Sequence, residues 1–262
     1  LIYIATHKAF SPPELEGYCP LQVGASTHPE LDLGYLKDNS GDHISQKNPN
    51  FCELTGLYWI WKNTNDPYKG LVHYRRYFGK SNFAHSLSAI YLYDQMLTFL
   101  DDCDIVLPYI EYFKQDAKEE ILVSCCTPEI FEKLRQIILD LYPNYLLDFD
   151  QFFKNNQSTL FNMLFAKGSL FDSYCKWLFS ILFELEKYVD LSKLDPYRSR
   201  LYGFLGERLL NVWVLHHHLK VNHLSVVNTE SNFRQECVFL RRRITNQIVF
   251  KCSSLVKAGK DK

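Results

Sequence analysis

Lys69-Gly70-Leu71-Val72-His73-Tyr74-Arg75-Arg76-Tyr77-Phe78 opens after a turn at Asn65-Asp66-Pro67 as an apolar β-run and closes on two adjacent arginines among aromatics. In an open α/β sheet, ligands bind beyond the carboxyl ends of the strands, so paired guanidiniums there read as an anion site. The alternative is an exposed Arg pair lying over a Tyr/Phe face. Upstream, Asn48-Pro49 offers an N-cap followed by proline at the first helical position. Leu54, Leu57, Tyr58 and Trp61 then recur at helical spacing until Asn63-Thr64-Asn65. Helix, turn and strand make one αβ unit, which predicts an α/β fold.

The pattern extends in both directions. Residues 1–5 and 21–24 read as short buried strands, 90–100 as a helix, and 104–108 as a strand stopped by Pro108. From residue 128 onward the sequence is mainly helical, with amphipathic runs near 128–142 and 148–156 and a segment at 160–166 that returns to the sheet. Ser169 opens a helix through a Ser-x-x-Asp box with Asp172, and Phe171, Tyr174, Leu178, Ile181, Leu182 and Leu185 line its core face. A helix over 200–219, interrupted by Gly203 and Gly206, precedes a last strand at 221–227. The shift toward helix near 115–128 divides a domain over 1–233 into parts of about 1–115 and 116–233, followed by a tail at 234–262.

A chain of 262 residues with 47% hydrophobic and 15% aromatic content buries a substantial core and is not intrinsically disordered. Its eight cysteines lack paired zinc-type spacing and read as reduced, cytosolic thiols. No run of 18 apolar residues occurs, and the apolar start at 1–5 is too short for a signal sequence, so neither secretion nor membrane spanning is expected. Formal net charge is −1, but residues 234–262 carry 8 Lys/Arg against 2 Asp/Glu. This tail, with Arg241-Arg242-Arg243 beside Ile244, Ile248, Val249 and Phe250, reads either as a solvated helix or as one lying on an anionic membrane.

Several clusters could carry chemistry. The polar turn with Asp38 and Asp42 is either a ribose- or base-binding loop or a surface Asx-turn. Asp102-Cys103-Asp104 matches an Asp-x-Asp metal motif, but it precedes its strand, where a switch-point site should follow one. His216-His217-His218 cannot all face one ion from a helix and reads as a basic helix end. Glu207 is either a general base or an ion-pair partner of Arg208 or Arg200. Phosphate loops, the Rossmann fingerprint, nucleophile elbows and zincin motifs are absent, and the basic residues lack the aromatic interleaving of a nucleic-acid surface.

Taken together, Ile4 to Lys8, Gln22-Val23-Gly24-Ala25, the Asp38 turn with Lys47-Asn48, Glu53 to Asn63, the HYRRYF run, Phe161-Asn162-Met163 and Arg200 to Asn211 resemble one family. It is the domain-of-unknown-function family found among bacterial capsule, exopolysaccharide and O-antigen biosynthesis proteins, some of whose members are galactosyl or galactofuranosyl transferases. The resemblance implies a GT-A-like single sheet flanked by helices, with a mainly helical C-terminal half. It further implies transfer of galactose or galactofuranose from a UDP-sugar to a lipid-linked or oligosaccharide acceptor, at the inner face of the plasma membrane. A non-catalytic nucleotide- or carbohydrate-binding subunit is the alternative. On this scheme 1–115 binds nucleotide and 116–233 faces the acceptor. Arg75 and Arg76 take the place of the metal; Thr6, His7, Lys8, Asp38, Asp42, His73 and Tyr74 line the donor pocket; Glu207 is the base. No cofactor beyond the donor is expected, and a divalent metal at Asp102 and Asp104 remains the alternative.

Overall fold

The computed structural model describes residues 1–260. In chain order the elements are β1 (Ile2–Thr6), β2 (Tyr18–Gln22), β3 (Leu36–Lys37), α1 (Asn48–Phe51), α2 (Leu54–Asn63), β4 (Tyr68–His73), β5 (Arg76–Gly79), α3 (Tyr93–Phe99), β6 (Ile105–Pro108) and β7 (Glu111–Tyr112). There follow α4 (Ala117–Ser124), α5 (Pro128–Leu141), α6 (Leu146–Lys154), β8 (Gln157–Ser158), β9 (Leu164–Lys167), α7 (Gly168–Glu186), α8 (Leu201–His216), β10 (Val221–Asn228) and α9 (Phe233–Lys260).

Eight strands form one sheet in the order β3-β2-β1-β4-β5-β10-β6-β9, with β9 also pairing to β4. β2, β1 and β4 run parallel, as do β6 and β10, whereas β9 is antiparallel to both β4 and β6. The more helical half therefore returns two strands to the sheet begun by the first half. β7 and β8 pair separately as a two-stranded ribbon, so the β-structure is not the single sheet expected from the sequence.

The two-residue period of strands sorts the core. Tyr3, Ala5, Leu71, Ile105, Leu107, Leu164 and Ala166 face a large cluster shared with α2, α5, α6, α7 and α8. Ile2, Ile4, Val72, Val106 and Phe165, one residue out of phase, face a smaller cluster completed by Met96 of α3.

Three local expectations change. The helix starting at Asn48 breaks at Cys52, whose φ of 53° is left-handed, because the Asn48 amide donates to the Cys52 carbonyl at 2.8 Å and folds the chain back. The Ser169 capping box does not form. Asp172 instead accepts from Lys69 Nζ at 2.7 Å, since an ammonium buried to 1% exposure requires a counter-charge. Nor do Gly203 and Gly206 interrupt their helix: α8 is continuous, and a Cβ at either position would press on Cys52 or Leu54, so the glycines permit close packing on α1 and α2.

Asp38 is fully buried and accepts from the backbone N–H groups of Gly24 (2.9 Å) and Ala25 (3.1 Å) and from the Ser45 hydroxyl. It holds the turn after β2, in which Gly24 adopts φ 70°. Asp38→Ala strands these donors and is expected to lower unfolding free energy by at least about 3 kcal/mol in urea denaturation. An unchanged midpoint would contradict that role.

Candidate functional site

A cavity of about 480 Å³ opens at the carboxyl edge of β1, β2 and β4. The exit of β1 contributes His7, and the end of β4 contributes His73 and the hairpin turn Tyr74-Arg75, after which Arg76 begins β5. The break between α1 and α2 supplies Cys52 and Glu53; the chain before β9 supplies Phe161; Arg200 and Glu207 come from the start and middle of α8. Glu207 thus lies within a helix.

The floor is built around Phe161 and Asn162, which both adopt left-handed backbone at φ 78° and 51°. Glu207 Oε1 accepts from the Phe161 N–H at 2.7 Å, and the Phe161 carbonyl contacts His73 Nε2 at 2.6 Å. Asn162 Nδ2 donates to Glu53 Oε1 at 2.7 Å and to the Gly203 carbonyl at 3.0 Å. Burial and the Arg76 charge hold the His73 pKa down at about 3, so the ring is neutral and the carbonyl contact assigns its proton to Nε2.

The two carboxylates differ in their commitments. Glu207 Oε2 accepts from Arg208 Nη1 at 2.6 Å, and Arg208, 4% exposed, also reaches Glu120 at 2.6 Å. Both oxygens of Glu207 are engaged. Among the described residues, Asn162 is the sole other residue that donates to the Glu53 carboxylate. Burial raises the pKa of each; proximity to Glu53 adds to the rise at Glu207, and Arg208 opposes it.

The cations also divide. Glu230 bridges Lys8 Nζ and Arg75 Nη1, each at 3.0 Å. Arg76 lies 4.5 Å from the Phe161 ring centre, and Arg200 Nε donates to Cys52 Sγ at 3.3 Å. Among the described residues neither has a carboxylate within ion-pair distance, so Arg76 and Arg200 are the cations free to meet an anion in the cavity.

Of the residues expected from sequence, His7, His73, Tyr74, Arg75, Arg76 and Glu207 meet in this cavity. Thr6 is buried beneath it, its hydroxyl donating to the Lys8 carbonyl at 2.6 Å, while Lys8 lines a neighbouring pocket with Tyr74. Asp38 and Asp42 do not line the cavity: Asp38 is committed to its turn, and Asp42 accepts from the Tyr58 hydroxyl at 3.0 Å. Asp104 accepts from the Lys220 N–H at 2.7 Å at the amino end of β6, about 13 Å of strand back from the carboxyl edge. The His216 ring stacks on Tyr145, and its Nδ1 meets Asp148 at 2.8 Å at the end of α8. Glu53, Arg200, Phe161 and Glu230 were not anticipated as site residues. Glu53 and Phe161 sit at backbone breaks, where neither helical nor strand periodicity gives a signal.

This architecture defines a glycosyltransferase-like α/β protein. It is similar to the apo structure of WbbM, a bifunctional glycosyltransferase, with a TM-score of 0.79 and 26% identity, covering 88% of this chain and 45% of that one. The chain spans less than half the length of that protein. It belongs to the family described as a domain of unknown function (DUF4422), which matches residues 1–218. No curated protein matches the sequence.

Arg76→Ala is expected to weaken UDP binding, measured by calorimetry, at least tenfold, and Arg75→Ala to weaken it less, because Arg75 is partly exposed and already paired. Equal losses would contradict the division of cations. Glu207→Ala should destabilise the fold by about 3 kcal/mol, as expected when a buried charge loses its partner. Glu53→Gln should leave the melting temperature nearly unchanged.

Proposed function

We propose that this chain is a GT-A-like glycosyltransferase domain that takes a UDP-sugar, of the galactose or galactofuranose type, and transfers the sugar to a lipid-linked or oligosaccharide acceptor in bacterial surface-polysaccharide synthesis. The observation that carries this reading is the meeting, in one cavity, of two arginines with no carboxylate in ion-pair contact among the described residues and two partly buried carboxylates. Glycosyl transfer breaks the bond between the anomeric carbon and the diphosphate oxygen, and negative charge grows on the leaving diphosphate. Arg76 and Arg200 stabilise that charge where other transferases use a metal ion. The acceptor hydroxyl attacks the anomeric carbon and gives its proton to a carboxylate. Glu207 was the base expected from sequence; Glu53, with the less committed carboxylate, is the member of the pair better able to take that proton.

The exposed side of α9 supports a peripheral position on the cytosolic leaflet. Val238, Leu240, Ile244 and Ile248 are exposed beside Arg234 and Arg241, a combination suited to an anionic lipid surface. No helix among the described residues is long and apolar enough to cross a membrane. The inner side of α9 packs on the body: Arg243 lies 4.1 Å from the Tyr109 ring centre, and Asn246 donates to the Tyr112 carbonyl at 2.9 Å. The last two residues of the basic tail lie outside the described ones. Arg234→Glu/Arg241→Glu is expected to reduce sedimentation with phosphatidylserine vesicles and spare turnover with a soluble acceptor. Undiminished sedimentation would reject the contact.

A panel of UDP-sugars tests the main reading through slow donor hydrolysis. Activity with one of them should persist in EDTA, fall about 10²-fold or more in Arg76→Ala, and fall 10²–10⁴-fold in Glu53→Gln. Because the base must be ionised and its pKa is raised, the rate should climb with pH through an inflection above the ordinary Glu value of about 4.3. UDP binding without hydrolysis of any donor would indicate a binding module, and loss in EDTA with rescue by Mn²⁺ would indicate a metal-dependent site.

A further inference from the structure

Beyond the Arg76–Phe161 pair lies a second cavity of about 230 Å³ that shares those two residues with the first. It stands on the same edge of the sheet, where β6 runs out into Tyr109 and β10 ends at Asn228. β7 adds Glu111, and the inner side of α9 adds Glu236 and Arg242.

The lining is chemically mixed. Tyr109 and Phe161 meet edge to face at 6.2 Å between ring centres and present apolar surface. Glu111 Oε1 accepts from Arg242 at 3.2 Å, and Glu236 Oε1 accepts from the Ser231 hydroxyl at 2.7 Å. The second oxygen of each carboxylate has no hydrogen-bond donor among the described residues. Buried carboxylates left with spare acceptors favour a ligand that donates hydrogen bonds. They disfavour a second phosphate, whose charge they would repel. Aromatic faces accommodate the C–H surface of a sugar ring while carboxylate, guanidinium and amide groups meet its hydroxyls. The volume falls below the roughly 300 Å³ at which drug-sized ligand pockets begin, which suits a single ring.

We propose that this second cavity is the acceptor subsite and holds the terminal sugar of the glycan that receives the transferred residue. The proposal rests on reading the first cavity as the donor site. The shared wall of Arg76 and Phe161 then places the acceptor hydroxyl next to the donor's anomeric carbon. Asn228, Glu236 and Arg242 lie after residue 218, where the family match ends, so much of the acceptor wall is built outside the family-defined segment.

Saturation-transfer NMR tests this on the full chain with UDP present, using the methyl glycosides of galactose, glucose and mannose as probes. At least one should give a signal, weakened about tenfold by Arg242→Gln, which removes the guanidinium from the wall, and by Leu160→Trp at another residue of the lining, which fills the cavity. UDP affinity measured by calorimetry should change less than twofold in both variants. Retained UDP binding with no glycoside signal in the unmodified chain, or with signals unaltered in both variants, overturns the subsite and leaves the donor reading intact. Failure of UDP to bind the unmodified chain overturns the donor reading instead, whatever the glycosides do.

Discussion

The left-handed pair Phe161-Asn162 is the constraint on which the site depends. Each such residue costs on the order of 1 kcal/mol or more and persists only where its surroundings hold it. Here β4 holds it through His73, the α1–α2 break through Glu53, and α8 through Glu207 and the Gly203 carbonyl. Four segments distant in sequence are fixed to one another by groups of the candidate site. Stability and function are consequently coupled at Glu207, whose carboxylate both anchors the Phe161 N–H and completes a buried cluster with Arg208 and Glu120.

Electrostatics then divides the labour. A neutral His73 packs beside Arg76 without adding positive charge, since burial and that neighbour disfavour its protonation. Glu230 draws Lys8 and Arg75 toward the rim, and its own pKa is lowered by those two partners. Arg76 and Arg200 are left facing the cavity. An arriving diphosphate would gain most from these two and would compete with Glu230 for the rim cations.

Much of this was legible in the sequence where periodicity carries information. The short apolar runs within 1–5, 69–72 and 104–108 specified strands buried on both faces, and the HYRRYF run marked the edge at which a ligand binds. What was not legible depends on tertiary partners. Cys52 takes a left-handed conformation because Asn48 captures its carbonyl, and this break points Glu53 into the cavity. Asp172 abandons a local cap for Lys69, more than 100 positions away in the chain. Asp38 resembles a ligand-binding carboxylate in composition, yet its oxygens are committed to backbone N–H groups that sequence spacing does not reveal.

The central claim is that the carboxyl edge of β1 and β4 binds a nucleoside diphosphate through arginines that make no ion pair among the described residues. A crystal structure of the UDP complex tests it most directly. The account predicts the diphosphate oxygens within hydrogen-bonding distance of Arg76 and Arg200, with the Phe161-Asn162 floor unmoved and Glu53 beside the vacant sugar position. UDP bound elsewhere, against Asp38 and Asp42 or through a metal at Asp102 and Asp104, would contradict it.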